Sequence, residues 1–475
     1  MWLTDLIPDA GGTTSPTRVT GFAIDHRKVA PGTVFGAFKG TRFNGEDFIG
    51  HAVADGAVAI VAAPEASVTG AIHVADPEPR RAFAALAARF FAPFPETTVA
   101  VTGTNGKTST VELVRQLWRL AGFHAASIGT LGVTTADEQV STGLTTPDIV
   151  TFLSNMAGLS REGVTHAAFE ASSHGLSQYH TEGLPVRAAA FTNLSRDHLD
   201  YHGTMEDYFA AKLRLFSEVV DRDGAAVVWA DDPRSADVMA AVSKRGVRLL
   251  SVGSAGETIR LLDRTPTALG QTLRIEIDGK MRELKLPLIG AYQAANALVA
   301  AALVIATGGE IELTLSNLQR VAPVRGRLER AAITKSGAPV YIDYAHTPDG
   351  LEAAITALRP HARNRLITVF GAGGDRDTGK RPLMGEVAAR LSDRTIVTDD
   401  NPRSEDPAAI RHEVMAGAPG AFEIAGRRAA IAAAIGEAEG GDIVLIAGKG
   451  HEQGQIIGDR VLPFDDVTVA RECAA

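Results

Sequence analysis

The chain has 475 residues, of which 45 % are hydrophobic and 22 % charged, a composition typical of folded globular proteins. Its 47 Lys and Arg residues against 56 Asp and Glu give a net charge of −9, which argues against a general nucleic-acid or anionic-membrane binder. The single cysteine, Cys473, excludes an internal disulfide. No apolar run reaches the roughly 18 residues of a membrane helix, and residues 1–12 lack a signal-peptide pattern, so a cytoplasmic protein is expected.

Apolar or β-branched runs alternate with loops and Ala-rich helical stretches, which predicts an α/β fold with largely parallel sheets. Boundaries are predicted at the two-proline stretch 91–96 and near residues 323–329. We therefore expect three domains, namely a small N-terminal α/β domain at 1–96, a central domain at 97–327 and a Rossmann-like C-terminal domain at 328–475. Because ligands of parallel sheets bind beyond the carboxyl ends of the strands, the loops after apolar runs are the natural places for a site.

A glycine-rich turn follows the predicted strand 98–101 and precedes the predicted helix 112–121. It reads Thr-Gly-Thr-Asn-Gly-Lys-Thr-Ser over residues 102–109. Backbone N–H groups of such a turn can surround phosphates, while Lys107 can reach the outer phosphates and the Thr108 hydroxyl can bind Mg²⁺. The usual pattern has a glycine where this chain has valine at 101, and a chance glycine-rich turn is the alternative. The turn predicts an ATP site in a phosphate-loop ATPase-like central sheet.

Three more side chains of the central domain have candidate roles. Glu170 follows the apolar run 167–169, and a carboxylate near a phosphate loop can bind the metal of a nucleotide. His198 lies in the loop after another apolar run, where a lone histidine is more often structural. Lys212 lies on a predicted helix, 205–220, where a solvent-exposed lysine is the ordinary expectation.

Three apolar runs of the C-terminal domain, 366–370, 395–397 and 443–447, each end in a polar loop. If these strands are parallel neighbours, their polar side chains meet at one sheet edge. Guanidinium groups bind carboxylates in a bidentate way, and a glutamate can accept from an ammonium. The set suits a ligand with two carboxylates and an ammonium, such as diaminopimelate, whereas lysine would leave an arginine unpaired. A surface salt-bridge cluster is the alternative. The side chains are Arg376, Asp400, Asn401, Arg403 and Glu452.

The string T-G-T-N-G-K-T at 102–108 resembles the Mur ligases, ATP-dependent amino-acid ligases that build the peptidoglycan stem peptide. Residues 193–200 are similar to the N-L-[ST]-x-D-H-L-D motif of that family, and D-N-P-R at 400–403 resembles the signature of its diaminopimelate-adding members. The resemblance covers essentially the whole chain. It implies a cytoplasmic, monomeric enzyme of peptidoglycan synthesis, and hence a part in cell wall biogenesis, cell shape and cell division.

The resemblance also implies which residues act. The catalytic residues that it implies are Lys107, Glu170, His198, Lys212 and Arg327. Mg²⁺ is held by Thr108, Glu170, His198 and Lys212, the last as a carbamate, which forms only from a neutral amine and so requires a lowered pKa. ATP is bound by Gly103, Thr104, Asn105, Gly106, Lys107, Thr108, Ser109, Asn296, Asp343 and His346.

Two further ligand sets are implied in the same way. The UDP-sugar substrate is bound by Ile24, His26, Thr41, Arg42, Phe43, Thr145, Thr146, Ser172, Gln178 and His180. The amino acid is bound by Arg376, Asp400, Asn401, Pro402, Arg403, Gly448 and Glu452. This chain departs from the family at His26, where serine is usual, and at His180, where many relatives have arginine.

The implied reaction is ATP-dependent amide formation through an acyl phosphate. It joins meso-diaminopimelate to the D-Glu carboxylate of UDP-N-acetylmuramoyl-L-alanyl-D-glutamate. The expected partners are therefore these substrates and ATP, with neither nucleic acid nor membrane. The alternatives are a ligase that adds lysine or another substituent, a phosphate-loop NTPase switch or motor, and a nucleotide-dependent hydrolase that uses His198. No NKxD-type guanine-binding motif is found, and the three C-terminal loops exceed what a switch or hydrolase needs.

Overall fold

The computed structural model describes residues 1–7, 17–40, 43–140, 145–267 and 270–475. The first sheet is parallel, in the order β1-β2-β3-β4. Helix α3 begins with Pro79, a residue favoured in the first helical turn, and buries Phe83 and Ala87 on one face. This part of the chain comprises α1 Leu3–Leu6, β1 Gly21–Ala23, β2 Thr33–Gly36, α2 Ile49–Ala54, β3 Ala59–Ala62, β4 Ile72–Ala75 and α3 Pro79–Phe91.

The second sheet has eleven strands, in the order β15-β14-β13-β12-β11-β10-β5-β9-β6-β7-β8. Its elements are β5 Thr97–Thr102, α4 Lys107–Leu120, β6 Ala125–Gly129, β7 Gly132–Thr134, β8 Gln139–Val140, α5 Ile149–Arg161, β9 His166–Glu170, α6 Ser173–Ser177, β10 Ala188–Phe191, α7 Leu199–His202, α8 Met205–Arg214, β11 Ala225–Trp229, α9 Ser235–Arg245, β12 Arg248–Gly253, β13 Ile259–Thr267, β14 Gly270–Ile277, β15 Lys280–Leu286, α10 Ala291–Ala306 and α11 Ile311–Leu318. Every residue of β10 is buried, as expected for a parallel strand covered on both faces.

The predicted parallel sheet is parallel only in its middle. Strands β6 to β8 and β13 to β15 are antiparallel at the two ends. The turn from β14 to β15 contains Asp278 and Gly279, both with positive φ, which is the geometry of a tight hairpin. Such two-residue turns return the chain in the opposite direction, so the sheet is mixed.

The third sheet has the order β16-β17-β21-β18-β19-β20, with only β16 antiparallel to its neighbour. Strands β21, β18 and β19 are parallel neighbours, so their three polar loops emerge at one edge. Its elements and the following hairpin are β16 Arg327–Ile333, β17 Pro339–Asp343, α12 Pro348–Leu358, β18 Leu366–Phe370, α13 Lys380–Leu391, β19 Arg394–Val397, α14 Pro407–Ala416, β20 Phe422–Glu423, α15 Arg427–Glu437, β21 Ile443–Ala447, β22 Gly454–Ile457, β23 Arg460–Pro463 and α16 Asp466–Ala474.

Two predicted helices differ from the observed ones. Helix α4 begins at Lys107 rather than near 112, because Gly106 adopts a left-handed conformation that ends the phosphate loop. The predicted helix 205–220 ends as α-helix at Arg214 and continues as a π-helical turn over Leu215–Val219. No helix within the described ranges is long and apolar enough to span a membrane.

Candidate active site

The phosphate loop lies between β5 and α4, and its two glycines are required by close contacts. Gly103 has φ +148°, and a Cβ there would collide with the Thr192 hydroxyl. Gly106 has φ +87°, and a Cβ there would collide with the Asn296 amide oxygen. Asn105 completes the loop, since its N–H donates to Asn193 Oδ1 at 2.9 Å. The loop is therefore held in a fixed form by the neighbouring strand loop and by α10.

Two lysines, the half-buried Lys107 and the buried Lys212, converge on this loop. Lys107 Nζ donates to the carbonyls of Gly103 at 2.9 Å and Thr104 at 2.8 Å. Lys212, 1 % exposed on α8, donates to the same Gly103 carbonyl at 2.7 Å. Burial lowers the pKa of Lys107, and burial together with the nearby Lys107 lowers the pKa of Lys212 well below its usual value. A buried amine with a lowered pKa is what carbamate formation requires.

The candidate metal ligands fit Mg²⁺ in their chemistry. Glu170 is 2 % exposed, and its Oε1 accepts from the Thr130 N–H at 2.7 Å. Thr108 presents its hydroxyl at the start of α4. The described residues contain no cluster of three or more His, Cys, Asp or Glu placed to hold a metal. Mg²⁺ is commonly bound by one or two carboxylates together with nucleotide phosphates, so the oxygen donors Glu170 and Thr108 suit it.

His198 stands beside Asp197 in the loop after β10. Its backbone is left-handed, with φ +54°, and its Nε2 lies 3.5 Å from Asp197 Oδ2. Burial lowers the pKa of His198 to about 4, although the Asp197 carboxylate opposes that shift. The imidazole is therefore neutral near pH 7, the form in which histidine binds metals.

Arg327, the first residue of β16, connects the third sheet to the phosphate loop. Its Nη2 donates to Thr108 Oγ1 at 3.0 Å, and its guanidinium lies 4.6 Å from the centre of the Tyr344 ring. Its buried Nε has no hydrogen-bond partner among the described residues. Just before it, Gly326 has φ +66°, and a Cβ there would collide with the backbone of Gly450. We name this backbone contact between Gly326 and Gly450 the glycine junction.

Two other predicted nucleotide contacts, Asp343 and His346, lie near Arg327 and make hydrogen bonds within the protein. The Asp343 carboxylate accepts from the Leu328 N–H at 2.7 Å, the Ala345 N–H at 2.8 Å and the Tyr292 hydroxyl at 3.2 Å, while burial raises its pKa. His346 Nδ1 lies 2.9 Å from the Tyr344 carbonyl, and burial lowers its pKa. Both side chains therefore stabilise the segment after β17. Ser109, also assigned to ATP, is buried in the first turn of α4.

The loops after β18, β19 and β21 bring most of the predicted amino-acid contacts together. Arg403 Nη1 donates to the Gly374 carbonyl at 2.8 Å, and Asn401 Nδ2 donates to Glu452 Oε2 at 2.8 Å. Gly448 lies against Asp400, whose Oδ2 would be 2.7 Å from a Cβ at that position. Pro402 lies against the loop after β18 through its carbonyl, which a Cβ at position 374 would strike.

Arg376 is the exception in this group, because it is exposed. Its Nη1 donates only to the neighbouring Asp375 carbonyl, at 3.3 Å, among the contacts of the described residues. It stands at the mouth of the cluster rather than inside it.

The predicted UDP-sugar contacts form two groups. His26 stacks on Phe48 with ring centres 4.3 Å apart and near-parallel planes, Ile24 is half-buried beside it, and Phe43 is 74 % exposed. Thr41 and Arg42 lie outside the described residues.

Three members of the second group lie beside Glu170. The hydroxyl of Thr146 donates to the Glu170 carbonyl at 2.9 Å and accepts from the Ser172 N–H at 3.1 Å. Thr145 contacts Thr130, which also holds the Glu170 carboxylate. The remaining two members are Gln178, which donates to the Tyr201 hydroxyl at 3.0 Å, and His180, whose pKa burial lowers to about 4.

Family models match three segments of the chain. They are the Mur ligase family catalytic domain at 18–90, the Mur ligase middle domain at 101–304 and the Mur ligase glutamate ligase domain at 326–450. The chain belongs to the Mur ligase family. Proteins named UDP-N-acetylmuramoyl-L-alanyl-D-glutamate--2,6-diaminopimelate ligase are similar to it along nearly their whole length. That of Zymomonas mobilis is 62 % identical, covering 96 % of this chain and 94 % of its own, and that of Bradyrhizobium diazoefficiens is 52 % identical, covering 94 % and 93 %.

Solved structures agree with this membership. A structure of a ligase with the same name has a TM-score of 0.74 and 32 % identity, covering 100 % of this chain and 98 % of that one. MurF from Thermotoga maritima in complex with ADP has a TM-score of 0.62 at 22 % identity, covering 91 % and 94 %, which shows the shared fold. The three-domain Mur ligase architecture predicted from the motifs is thus confirmed.

Sequence reasoning missed several residues of this Mur ligase site. Asn193 holds the phosphate loop and Asp197 flanks His198, and both lie within the motif at 193–200 that was recognised. Tyr344 lies under Arg327, between the predicted contacts Asp343 and His346, whereas Thr130, which holds Glu170, stands in no recognised string. Lys449 lies within the recognised string Gly-Lys-Gly-His-Glu, where its burial gives no signal in the sequence.

Proposed function

We propose that this chain is an ATP-dependent ligase that joins meso-diaminopimelate to the D-Glu carboxylate of UDP-N-acetylmuramoyl-L-alanyl-D-glutamate, in cytoplasmic peptidoglycan precursor synthesis. One observation carries the proposal. The third sheet gathers Asn401, Arg403 and Glu452 at one edge, and its first strand sends Arg327 to Thr108 of the phosphate loop at 3.0 Å. An amino acid and a nucleotide bound at these places would face one another. The names of the relatives supply the identity of the amino acid and its acceptor.

In the first step the D-Glu carboxylate attacks the γ-phosphorus of ATP, ADP leaves and an acyl phosphate forms. Lys107 and Arg327 would turn from their protein acceptors to the phosphate oxygens, because a charge-assisted hydrogen bond is stronger than one to a neutral carbonyl. Mg²⁺, held by Thr108, Glu170, His198 and Lys212 as its carbamate, would offset negative charge on the phosphoryl group. Thr130 would keep the Glu170 carboxylate in place.

In the second step an amine of meso-diaminopimelate attacks the acyl carbon, inorganic phosphate leaves and the nitrogen loses a proton. Arg403 and Arg376 would bind the two carboxylates, and Glu452 would accept from the ammonium that does not react. Lysine has one carboxylate fewer, so one guanidinium would lose its partner. The chemistry of the cluster therefore supports diaminopimelate over lysine.

The remaining assignments belong to the same proposal. Residues 1–96 would bind the UDP-sugar, residues 97–327 ATP, and residues 328–475 the amino acid, in a monomer. Helix α3 packs against α5 of the central sheet, so a ligand bound by the first sheet would lie beside the central domain. A second link joins the start of α3 to the segment after α6, where Glu78 accepts from the Tyr179 hydroxyl at 2.9 Å and Arg81 donates to Glu182 at 3.0 Å.

The test is phosphate release from ATP by the purified protein with the UDP-muramoyl dipeptide. It is run without amine, with meso-diaminopimelate and with L-lysine, and the product mass is recorded each time. We expect turnover only with meso-diaminopimelate and a product heavier by one such residue. Turnover with lysine would be consistent with a ligase but would contradict the proposed selectivity for meso-diaminopimelate. Phosphate release without amine and without a ligated product would contradict the ligase itself and favour a hydrolase or switch.

A further inference from the structure

Lys449 is a fully buried lysine in the loop after β21, with a relative exposure of 0 %. Its Nζ donates to Asn401 Oδ1 and to Glu452 Oε2, both at 2.9 Å. Both acceptors belong to the proposed amino-acid pocket, and they come from loops 51 residues apart in the chain. Lys449 is therefore a buried lysine that contacts both polar side chains at once.

This contact fixes the orientation of the Asn401 amide. Its Oδ1 accepts from Lys449 Nζ and from the Ile456 N–H at 3.0 Å, while its Nδ2 donates to Glu452 Oε2 at 2.8 Å. A flipped amide would place its NH₂ group against two donors and its oxygen against a carboxylate. Three hydrogen bonds would be lost, so one orientation is strongly preferred.

The same contact gives the two oxygens of the Glu452 carboxylate different surroundings. Oε2 accepts from both Lys449 and Asn401, whereas no hydrogen bond within the described parts of the chain reaches Oε1. Glu452 itself is partly exposed, with 31 % of its side chain accessible. One oxygen is thus committed to the protein, and the other is presented where a ligand ammonium can donate to it.

We propose that Lys449 is a positioning residue for the amino-acid substrate. It holds Glu452 in the rotamer that presents Oε1 and compensates its negative charge, so that the pocket retains the positive character that a dicarboxylate requires. Lys449 does not touch the substrate and acts through Glu452 and Asn401. This inference rests on the proposed function, since it assumes that these loops bind the amino acid.

The test compares Lys449→Met with Lys335→Met, which alters an exposed lysine of the same domain. For each variant the KM values of meso-diaminopimelate, ATP and the UDP-muramoyl dipeptide are measured separately. Because a charge-assisted hydrogen-bond network is removed, we expect Lys449→Met to raise the KM of meso-diaminopimelate by about 10- to 100-fold. The other two KM values are expected to stay within about twofold, because the phosphate loop is not touched. Lys335→Met is expected to change none of the three.

A double-mutant cycle with Glu452→Gln distinguishes positioning from general disturbance. If Lys449 acts through Glu452, adding Lys449→Met to Glu452→Gln raises the KM of meso-diaminopimelate by much less than it does in the parent. If the increases in KM caused by the two single substitutions multiply in the double variant, the proposal is contradicted. A rise in all three KM values together would also contradict it, because a structural role would spread to the whole enzyme.

If Lys449→Met does not fold, Lys449→Arg is measured in the same way. It keeps the charge but cannot place one ammonium between the two acceptors, so the selective rise in KM is again expected. Failure of both variants to fold would overturn the proposal by assigning the residue to stability. If the parent enzyme has no diaminopimelate-dependent turnover, the proposed function fails first. Turnover by the parent with an unchanged KM in Lys449→Met overturns the inference alone.

Discussion

The phosphate loop and the amino-acid pocket both bury charged side chains, but they satisfy them differently. In the phosphate loop, Lys107 and Lys212 donate to neutral backbone carbonyls, and burial lowers the pKa of both. In the pocket and behind it, the charges pair with one another, as Lys449 does with Glu452 and Arg427 with Asp466.

This difference suits the ligands proposed for the two places. Lys107 forms no ion pair within the described residues, so the phosphates of ATP would supply its opposite charge, whereas Lys212 would act as the proposed carbamate. Charges that are paired within the protein attract a ligand only weakly, but they fix the positions of the groups that recognise it. In the proposed function, the phosphate loop would therefore bind charge on the nucleotide, and the pocket would distinguish between similar amino acids.

The largest expected effect is on the pair behind the pocket. Arg427 and Asp466 are both fully buried, with Nη2 to Oδ2 at 2.6 Å. Asp466→Asn leaves a buried guanidinium uncompensated, so we expect the free energy of unfolding to fall by about 3–5 kcal/mol in denaturant titration. The exposed pair Arg428 and Glu472 joins the same two helices. Glu472→Gln is therefore the control, with an expected loss below about 1 kcal/mol. Equal losses would show that burial does not distinguish the pairs.

Lys107→Met tests the phosphate loop. We expect kcat to fall by about 10²–10³-fold, because a preorganised charge on the phosphates is lost. The free energy of unfolding without ligand should change little, since within the described residues Lys107 forms no ion pair and donates only to backbone carbonyls. Steady-state kinetics and denaturant titration measure the two effects. Lys244→Met, in an exposed part of α9, is the control for both. A marked loss of stability in Lys107→Met would contradict the comparison.

Arg403→Lys tests selection within the pocket. A lysine keeps the charge but loses the bidentate geometry, so we expect kcat/KM for meso-diaminopimelate to fall by about 10- to 100-fold. The preference over L-lysine should narrow, while the KM of ATP stays unchanged. Arg363→Lys, at an exposed position of the same domain, is the matched control. An unchanged preference between meso-diaminopimelate and L-lysine would show that Arg403 does not recognise the second carboxylate.

The smallest expected effect concerns His180, whose pKa is lowered mainly by burial, although the nearby Asp148 carboxylate opposes this shift. Its pKa is about 4 in the folded protein, below the value of about 6.5 for an unfolded chain. As the pH falls from 6.5 towards 4 the unfolded state binds the proton first, so stability decreases in this window. The contribution between pH 6.5 and 5.5 is about 1 kcal/mol. His180→Asn should reduce the pH dependence of the free energy of unfolding, whereas His412→Asn, at an exposed site, should not. Parallel pH profiles for the parent and His180→Asn would contradict this assignment.

The sequence predicted the parts of the fold and the site that depend on local pattern. The glycine turn at 102–109 and the three loops of the third sheet follow apolar runs, and parallel strands bring their carboxyl ends to one edge. The antiparallel ends of the central sheet were not predicted, because apolar periodicity does not give strand direction.

The packing of single side chains was also beyond the sequence. Lys449 looks like any lysine in a loop, and its burial depends on Asn401, 48 residues away. Thr130 reaches Glu170 across 40 residues. Such contacts are set by the fold as a whole, so local pattern cannot reveal them.

The glycine junction limits which residues can stand at positions 326 and 450. Gly326 and Gly450 touch through their backbones with no room for a side chain, so Arg327 and the loop that carries Lys449 and Glu452 are packed directly against each other at this point. A side chain at either position would push that loop away from Arg327. One such substitution would therefore disturb the surroundings of the phosphate loop and of the proposed amino-acid pocket together.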